Sequence, residues 1–96
     1  MKKIRGHILW VDDEIEHLKP HILFLEEKGY NLSKVNNGQD AIETVKNNYF
    51  DLVLLDQSMP GMDGLEVLTE LKKQRKSQLI IMITKTEDEW LMDEAI

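Results

Sequence analysis

The stretch Asp51-Leu-Val-Leu-Leu-Asp-Gln-Ser-Met-Pro-Gly-Met-Asp-Gly64 is a short apolar run that ends in an acid and then turns at Pro60, Gly61 and Gly64. Four consecutive apolar residues between turn signals predict a strand buried on both faces, the pattern of a parallel sheet. In such sheets ligands gather at the carboxyl ends of the strands. Asp56 stands at such an end, where the chain leaves the core and faces a crevice. A carboxylate placed there is either in use or a liability.

The segments on either side repeat the pattern. His7-Ile-Leu-Trp-Val11 is an apolar strand that runs into Asp12-Asp13-Glu14, three acids with no basic residue beside them. Ile15, Leu18, Ile22 and Leu25 follow the spacing of one helical face, with Gly29 as a stop. Pro20 has no N–H to donate, so it either sits in the first turn of a late-starting helix or kinks that helix. Tyr30 to Val35 alternates loosely and reads as an edge strand. Asn37, with Asp40 three residues on, caps a short helix whose apolar side is Ala41, Ile42 and Val45. Asp63 with Glu66 caps the next helix, striped by Leu65, Leu68 and Leu71. Leu79-Ile-Ile-Met-Ile83 is a further buried strand, closed by Thr84. Thr86 with Glu89 opens a last predicted helix carrying Leu91, Met92 and Ala95.

Strands alternating with helices at this spacing predict an α/β fold, a doubly wound parallel sheet with helices on both faces. Right-handed crossovers bring the ends of the first, third and fourth strands together, so Asp12, Asp13, Asp56 and Thr84 are expected to converge.

Composition sets the bounds around this reading. Ninety-six residues allow one small domain, and 42% apolar residues suffice for a core. No stretch approaches the ~20 apolar residues of a spanning helix, so neither a membrane anchor nor a signal peptide is expected. The absence of cysteine excludes disulfides, thiolate metal sites and a cysteine nucleophile, and fits a cytoplasmic protein. A formal charge of −6 argues against nucleic-acid binding by this domain. The one basic cluster, Lys72, Lys73, Arg75 and Lys76, reads as a helix C-terminal turn that complements the macrodipole. His17 and His21 have the spacing of a metal-binding pair but no third ligand, and read as surface residues. Trp10 and Trp90 read as packing residues, and the scattered methionines as gap fillers.

Each motif also has a plainer reading. Asp12 and Asp13 by themselves would be helix caps more often than ligands, and Pro60-Gly61 and Asp63-Gly64 are turn formers first. Their joint placement at strand ends favours chemistry. Three carboxylates in one crevice repel one another unless a divalent cation joins them, and hard oxygen ligands suit Mg²⁺ or Mn²⁺. Mg²⁺ takes one or two carboxylates together with phosphate oxygens, so such a site is prepared for a phosphoryl group. Asp56, at the end of the central strand, is the natural nucleophile, because a carboxylate can accept a phosphoryl group as an acyl phosphate. The Thr84 hydroxyl is placed to donate to one of the phosphoryl oxygens.

These residues resemble the receiver domain of two-component response regulators, the CheY-like family. The match is the Asp12-Asp13 pair, Asp56 followed by Met59-Pro-Gly-Met-Asp-Gly64, and Thr84, and it covers nearly the whole chain. The resemblance implies a flavodoxin-like sheet of order 2-1-3-4-5, with Asp56 as phospho-acceptor and Thr84 as switch hydroxyl. It implies Mg²⁺ held by Asp13, Asp56 and the backbone carbonyl of Ser58, with Asp12 acting through water. The implied phosphodonor is a sensor histidine kinase or phosphotransfer protein. A C-terminal output domain in the full-length protein and a phosphorylation-linked dimer are also expected. Such a module is a switch and not an enzyme, catalysing only its own phosphorylation and autodephosphorylation. More narrowly, Ile8-Leu-Trp-Val-Asp-Asp-Glu14, Leu18-Lys-Pro-His-Ile22 and Phe24-Leu-Glu-Glu-Lys-Gly-Tyr30 are similar to PorX-type regulators of Bacteroidetes, in which a receiver precedes an alkaline-phosphatase-like domain.

Departures from the pattern set further expectations. Receivers carry a Lys at the end of a fifth strand, and this chain ends before it. The resemblance therefore implies a receiver over residues 1–96 that is incomplete at its C-terminus, lacking the fifth strand and last helix. The fourth strand would then present a bare apolar edge inviting another chain, by swapping for instance. Lys85 stands where receivers usually have a small residue, and is expected to lean over the crevice as an access gate or as added charge. Ser58 and Thr86, being short, would instead leave room for water. Two alternatives are a receiver-like interaction domain that is never phosphorylated and a phosphatase of the haloacid-dehalogenase type. The second needs another Asp two residues after the nucleophile, where this chain has Ser58. A flavin site is disfavoured, since the acidic loop after the first strand would repel a phosphate.

Overall fold

The computed structural model describes residues 4–85 and 90–95, with side chains described through Thr84. Four parallel strands form the sheet's body: β1 (Gly6–Val11), β2 (Tyr30–Val35), β3 (Leu52–Asp56) and β4 (Ile80–Lys85), in the order β2-β1-β3-β4. The edge position expected for β2 is observed. Between the strands run α1 (Lys19–Glu27), α2 (Gly38–Asn47) and α3 (Gly64–Gln74).

The period of two in the strands divides the core into two layers. Leu9, Val11, Val53, Leu55, Ile80 and Met82 pack with Ala41 and Val45 of α2 and Val67 and Leu71 of α3. Ile8, Trp10, Leu54 and Ile83 face the other way, onto Ile15, Leu18 and Ile22. Burial on both faces explains why these strands read as continuous apolar runs and not as alternation. Each fully buried Leu or Val contributes roughly 1.5–3 kcal/mol.

The local signals act as their chemistry requires. A 3₁₀ turn over Ile15–Leu18 precedes α1, and Pro20 lies in the first turn of α1, where its missing N–H costs nothing. Pro20 thus starts a helix and does not kink one. Gly29 takes φ 102°, and its N–H bonds the carbonyl of Glu26 to close α1. Asn37 Oδ1 accepts from the N–H of Asp40 at 2.8 Å, and Asp63 Oδ1 from that of Glu66 at 3.0 Å, so both predicted caps form.

Three expectations are corrected. The buried stripe of α3 is Val67 and Leu71 with Leu68 alongside, while Leu65 is exposed. The fourth strand starts at Ile80, because Leu79 lies half-exposed ahead of it, and it runs on past Thr84 to Lys85. The larger correction concerns the predicted last helix. Trp90–Ala95 is a strand, β5, antiparallel to β4 in the register Thr84↔Leu91 and Ile80↔Ala95. The apolar edge of β4 is therefore covered from within the chain and is not bare. The order is β2-β1-β3-β4-β5, and because β5 runs antiparallel to β4 it is not the parallel fifth strand of the doubly wound sheet, which this chain is expected to lack. A β4 edge offering a full row of backbone partners outweighs the weak helical pattern of so short a segment.

Candidate functional site

Register decides what meets at the top of the sheet. Val11 pairs with Leu55, so Asp12 follows β1 where Asp56 ends β3. Asp56 pairs with Ile83, so Gln57, just past β3, stands beside Thr84 of β4. The crossovers thus convert sequence separations of 44 residues (56 − 12) between Asp12 and Asp56 and 27 between Gln57 and Thr84 into adjacency.

Asp12, Asp13 and Asp56 each offer a carboxylate oxygen, and these atoms lie within 4.8 Å of one another. Asp12 and Asp56 are buried and Asp13 is exposed, so the cluster opens to solvent on the Asp13 side. Backbone geometry aims two of the carboxylates. Asp12 Oδ1 accepts from the N–H of Glu14 at 2.8 Å, and Asp56 Oδ1 from that of Ser58 at 3.1 Å. Two ionised carboxylates at such a separation repel by roughly 3–4 kcal/mol at an effective dielectric of ~20.

The donor set fits a small divalent cation. All three groups are hard carboxylate oxygens gathered within 4.8 Å of one another, the ligand type that Mg²⁺ takes. Mg²⁺ also retains waters, and the exposed Asp13 side leaves room for them. Among the described residues no other group of His, Cys, Asp or Glu is so placed. His17 and His21 belong to no such group. His17 is exposed and bonds Glu14 at 3.1 Å, and the exposed His21 meets the edge of Trp10.

The loop after β3 is held tightly. The N–H of Gln57 donates to the carbonyl of Ile83 at 3.0 Å, and its carbonyl accepts from the N–H of Gly64 at 3.0 Å. Met59 is buried in the core below. The half-buried Thr84 donates its hydroxyl to Gln57 Oε1 at 2.7 Å. Gln57 carried no signal in the sequence, because its partner lies on another strand 27 residues away. The side chain of Lys85, the expected access gate, and all of Thr86, expected to leave room for water, lie outside the described residues.

Residues 8–96 match the family model of the response regulator receiver domain. The chain belongs to the response regulator receiver family. This receiver domain is 38% identical over 80 residues to the transcriptional regulatory protein YkoG of Bacillus subtilis, an alignment covering 83% of this chain and 35% of that protein. It is similar to the response regulator TrrA of Thermotoga maritima, solved in complex with Mg(2+)-BeF, with 38% identity and a TM-score of 0.78, covering 84% of this chain and 70% of that one. TrrA in complex with the histidine kinase ThkA gives 36% identity and a TM-score of 0.76, covering 86% and 73%. The receiver spans about a third of the length of YkoG and of the transcriptional regulatory protein SrrA of Staphylococcus aureus, and 4% of that of the hybrid signal transduction histidine kinase B of Dictyostelium discoideum. Among the described residues no helix is long and apolar enough to cross a membrane.

Proposed function

We propose that this receiver accepts a phosphoryl group on Asp56 from a sensor histidine kinase or phosphotransfer protein and passes the change to an output domain in the longer protein. The observation that carries this reading is the buried Asp56 carboxylate within 4.8 Å of those of Asp12 and Asp13. The relatives support it: TrrA binds Mg(2+)-BeF, whose fluoride complex mimics a phosphoryl group, and forms a complex with a histidine kinase.

In this reading Asp13, Asp56 and the Ser58 carbonyl hold Mg²⁺, with Asp12 acting through a water. When bound, the cation offsets the negative charge brought by the incoming phosphoryl oxygens. Asp56 supplies the nucleophilic oxygen. Its O–P bond forms as the P–N bond of the donor phosphohistidine breaks, and the histidine leaves with a proton as neutral imidazole. The Asx-type bond from the Ser58 N–H turns Asp56 Oδ1 toward the backbone and so orients the carboxylate. Thr84 then donates its hydroxyl to a phosphoryl oxygen. The domain turns over no metabolite, and slow hydrolysis of the acyl phosphate resets it.

The test is incubation of the protein with acetyl phosphate and Mg²⁺, followed by intact mass. A gain of one phosphoryl group that disappears in Asp56→Asn is expected. No gain in the wild type would favour an interaction domain that is never phosphorylated.

A further inference from the structure

The hydroxyl that the switch would use already has a partner. Thr84 Oγ1 donates its single proton to Gln57 Oε1 at 2.7 Å, and while it does so that proton cannot go to an oxygen on a modified Asp56. The root of the acceptor is held in place. The backbone of Gln57 is pinned by its N–H on the Ile83 carbonyl and by its carbonyl on the Gly64 N–H, both at 3.0 Å. On a third side Gly64 packs so closely that a β carbon there would stand 2.6 Å from the Gln57 Cα. Gln57 therefore presents its amide from a rigid root, and Thr84 must rotate away to change partners.

We infer that Gln57 is a positioning residue that latches the Thr84 hydroxyl in the resting state and so sets the free-energy cost of switching. The inference rests on the phospho-acceptor reading of Asp56 given above. A charged phosphoryl oxygen is a stronger acceptor than a neutral amide, so the exchange runs toward the phosphorylated state. The gain is reduced by the bond that is surrendered. Weaker latches would give receivers that activate more readily, and this chain is held toward rest.

The latch is tested in the full chain by calorimetric titration with beryllofluoride in saturating Mg²⁺. Gln57→Met keeps the length of the side chain and removes the acceptor. It is expected to raise beryllofluoride affinity roughly 3- to 10-fold, the weight of one neutral hydrogen bond, while leaving Mg²⁺ affinity unchanged. Gln57→Ala should do the same, which separates loss of the acceptor from the packing of Met, and thermal unfolding of both checks that they fold. In a Thr84→Val background the same substitutions should have no effect, an outcome that a merely structural role for Gln57 would not produce. Unchanged or weaker binding in both variants, or an equal gain without the Thr84 hydroxyl, overturns the latch while the phospho-acceptor reading stands. A wild-type protein that binds no beryllofluoride overturns both.

Discussion

Gly64 lies against the peptide joining Asp56 to Gln57: a β carbon built on it would stand 2.6 Å from the Gln57 Cα and 2.7 Å from the Asp56 carbonyl oxygen. Both obstacles are backbone, which cannot rotate aside as a side chain can. Gly64→Ala is therefore expected to cost about 1–3 kcal/mol in urea unfolding. Because the displaced atoms carry the Asp56 carboxylate, Mg²⁺ affinity should fall as well. Gly61 makes the control. It has φ 81°, and a β carbon on it would meet nothing within 4 Å, so Gly61→Ala should cost only the ~1 kcal/mol of left-handed backbone and leave Mg²⁺ binding intact.

Gly38, at the start of α2, is crowded differently. A β carbon there would meet Val67 Cγ2 at 2.6 Å and the sulfur of Met62 at 3.2 Å, both side-chain atoms of the neighbouring segment. Gly38→Ala alone should destabilise by about 1–2 kcal/mol. Combined with Val67→Ala, it should cost less than the sum of the two single changes by roughly 0.5–1 kcal/mol, since the second substitution makes room for the first. Denaturant unfolding of the four proteins in this cycle gives the coupling directly. A strictly additive result would show that the helices move apart instead of sharing the space.

Much of the site could be read from residue types because its parts are local signals. Apolar runs stopped by acids give β1 and β3, and the rule that ligands gather at strand ends then places Asp12, Asp13 and Asp56 together. Asn37 and Asp63 announce their helices through bonds to N–H groups three residues on. What escaped depends on partners distant in sequence. Trp90–Ala95 has a helix-like opening but becomes a strand because β4 beside it offers an unpaired edge. Gln57 looks like an ordinary loop residue until register sets it abreast of Thr84. On α3, Leu65 and Val67 are both apolar, and only the direction of the crossover decides that Val67 is the buried one.

If the acidic cluster holds Mg²⁺ as proposed, stability should depend on the ion. Without it, Asp13→Asn should stabilise the protein, by no more than about 1 kcal/mol because Asp13 is exposed and its repulsion is screened. With Mg²⁺ at a hundred times its dissociation constant the wild type should gain about 2.7 kcal/mol by mass action. Asp13→Asn should lose most of that gain, so the order of stability of the two proteins reverses on adding Mg²⁺. Thermal unfolding with and without the ion checks it. A mutant that responds to Mg²⁺ as the wild type does would remove Asp13 from the metal site.

Gln78 tests whether stability and switching separate along the sheet. It is buried just before β4, where its Nε2 donates to the carbonyls of Phe50 at 3.1 Å and Leu79 at 3.2 Å, while its carbonyl accepts from Lys72 Nζ at 2.6 Å. These bonds tie the entry of β3 to that of β4, at the end of the sheet opposite the acids. Gln78→Leu withdraws the donor from the buried Phe50 carbonyl and should cost about 1–3 kcal/mol. Lys72→Met removes a partly buried charge-assisted bond and should cost less, since water can replace it. Because neither change touches Asp56, Gln57 or Thr84, phosphoryl uptake under native conditions should match the wild type in both, as measured by intact mass after acetyl phosphate. Reduced uptake in a folded Gln78→Leu protein would show that strain at the strand entries reaches the acidic end.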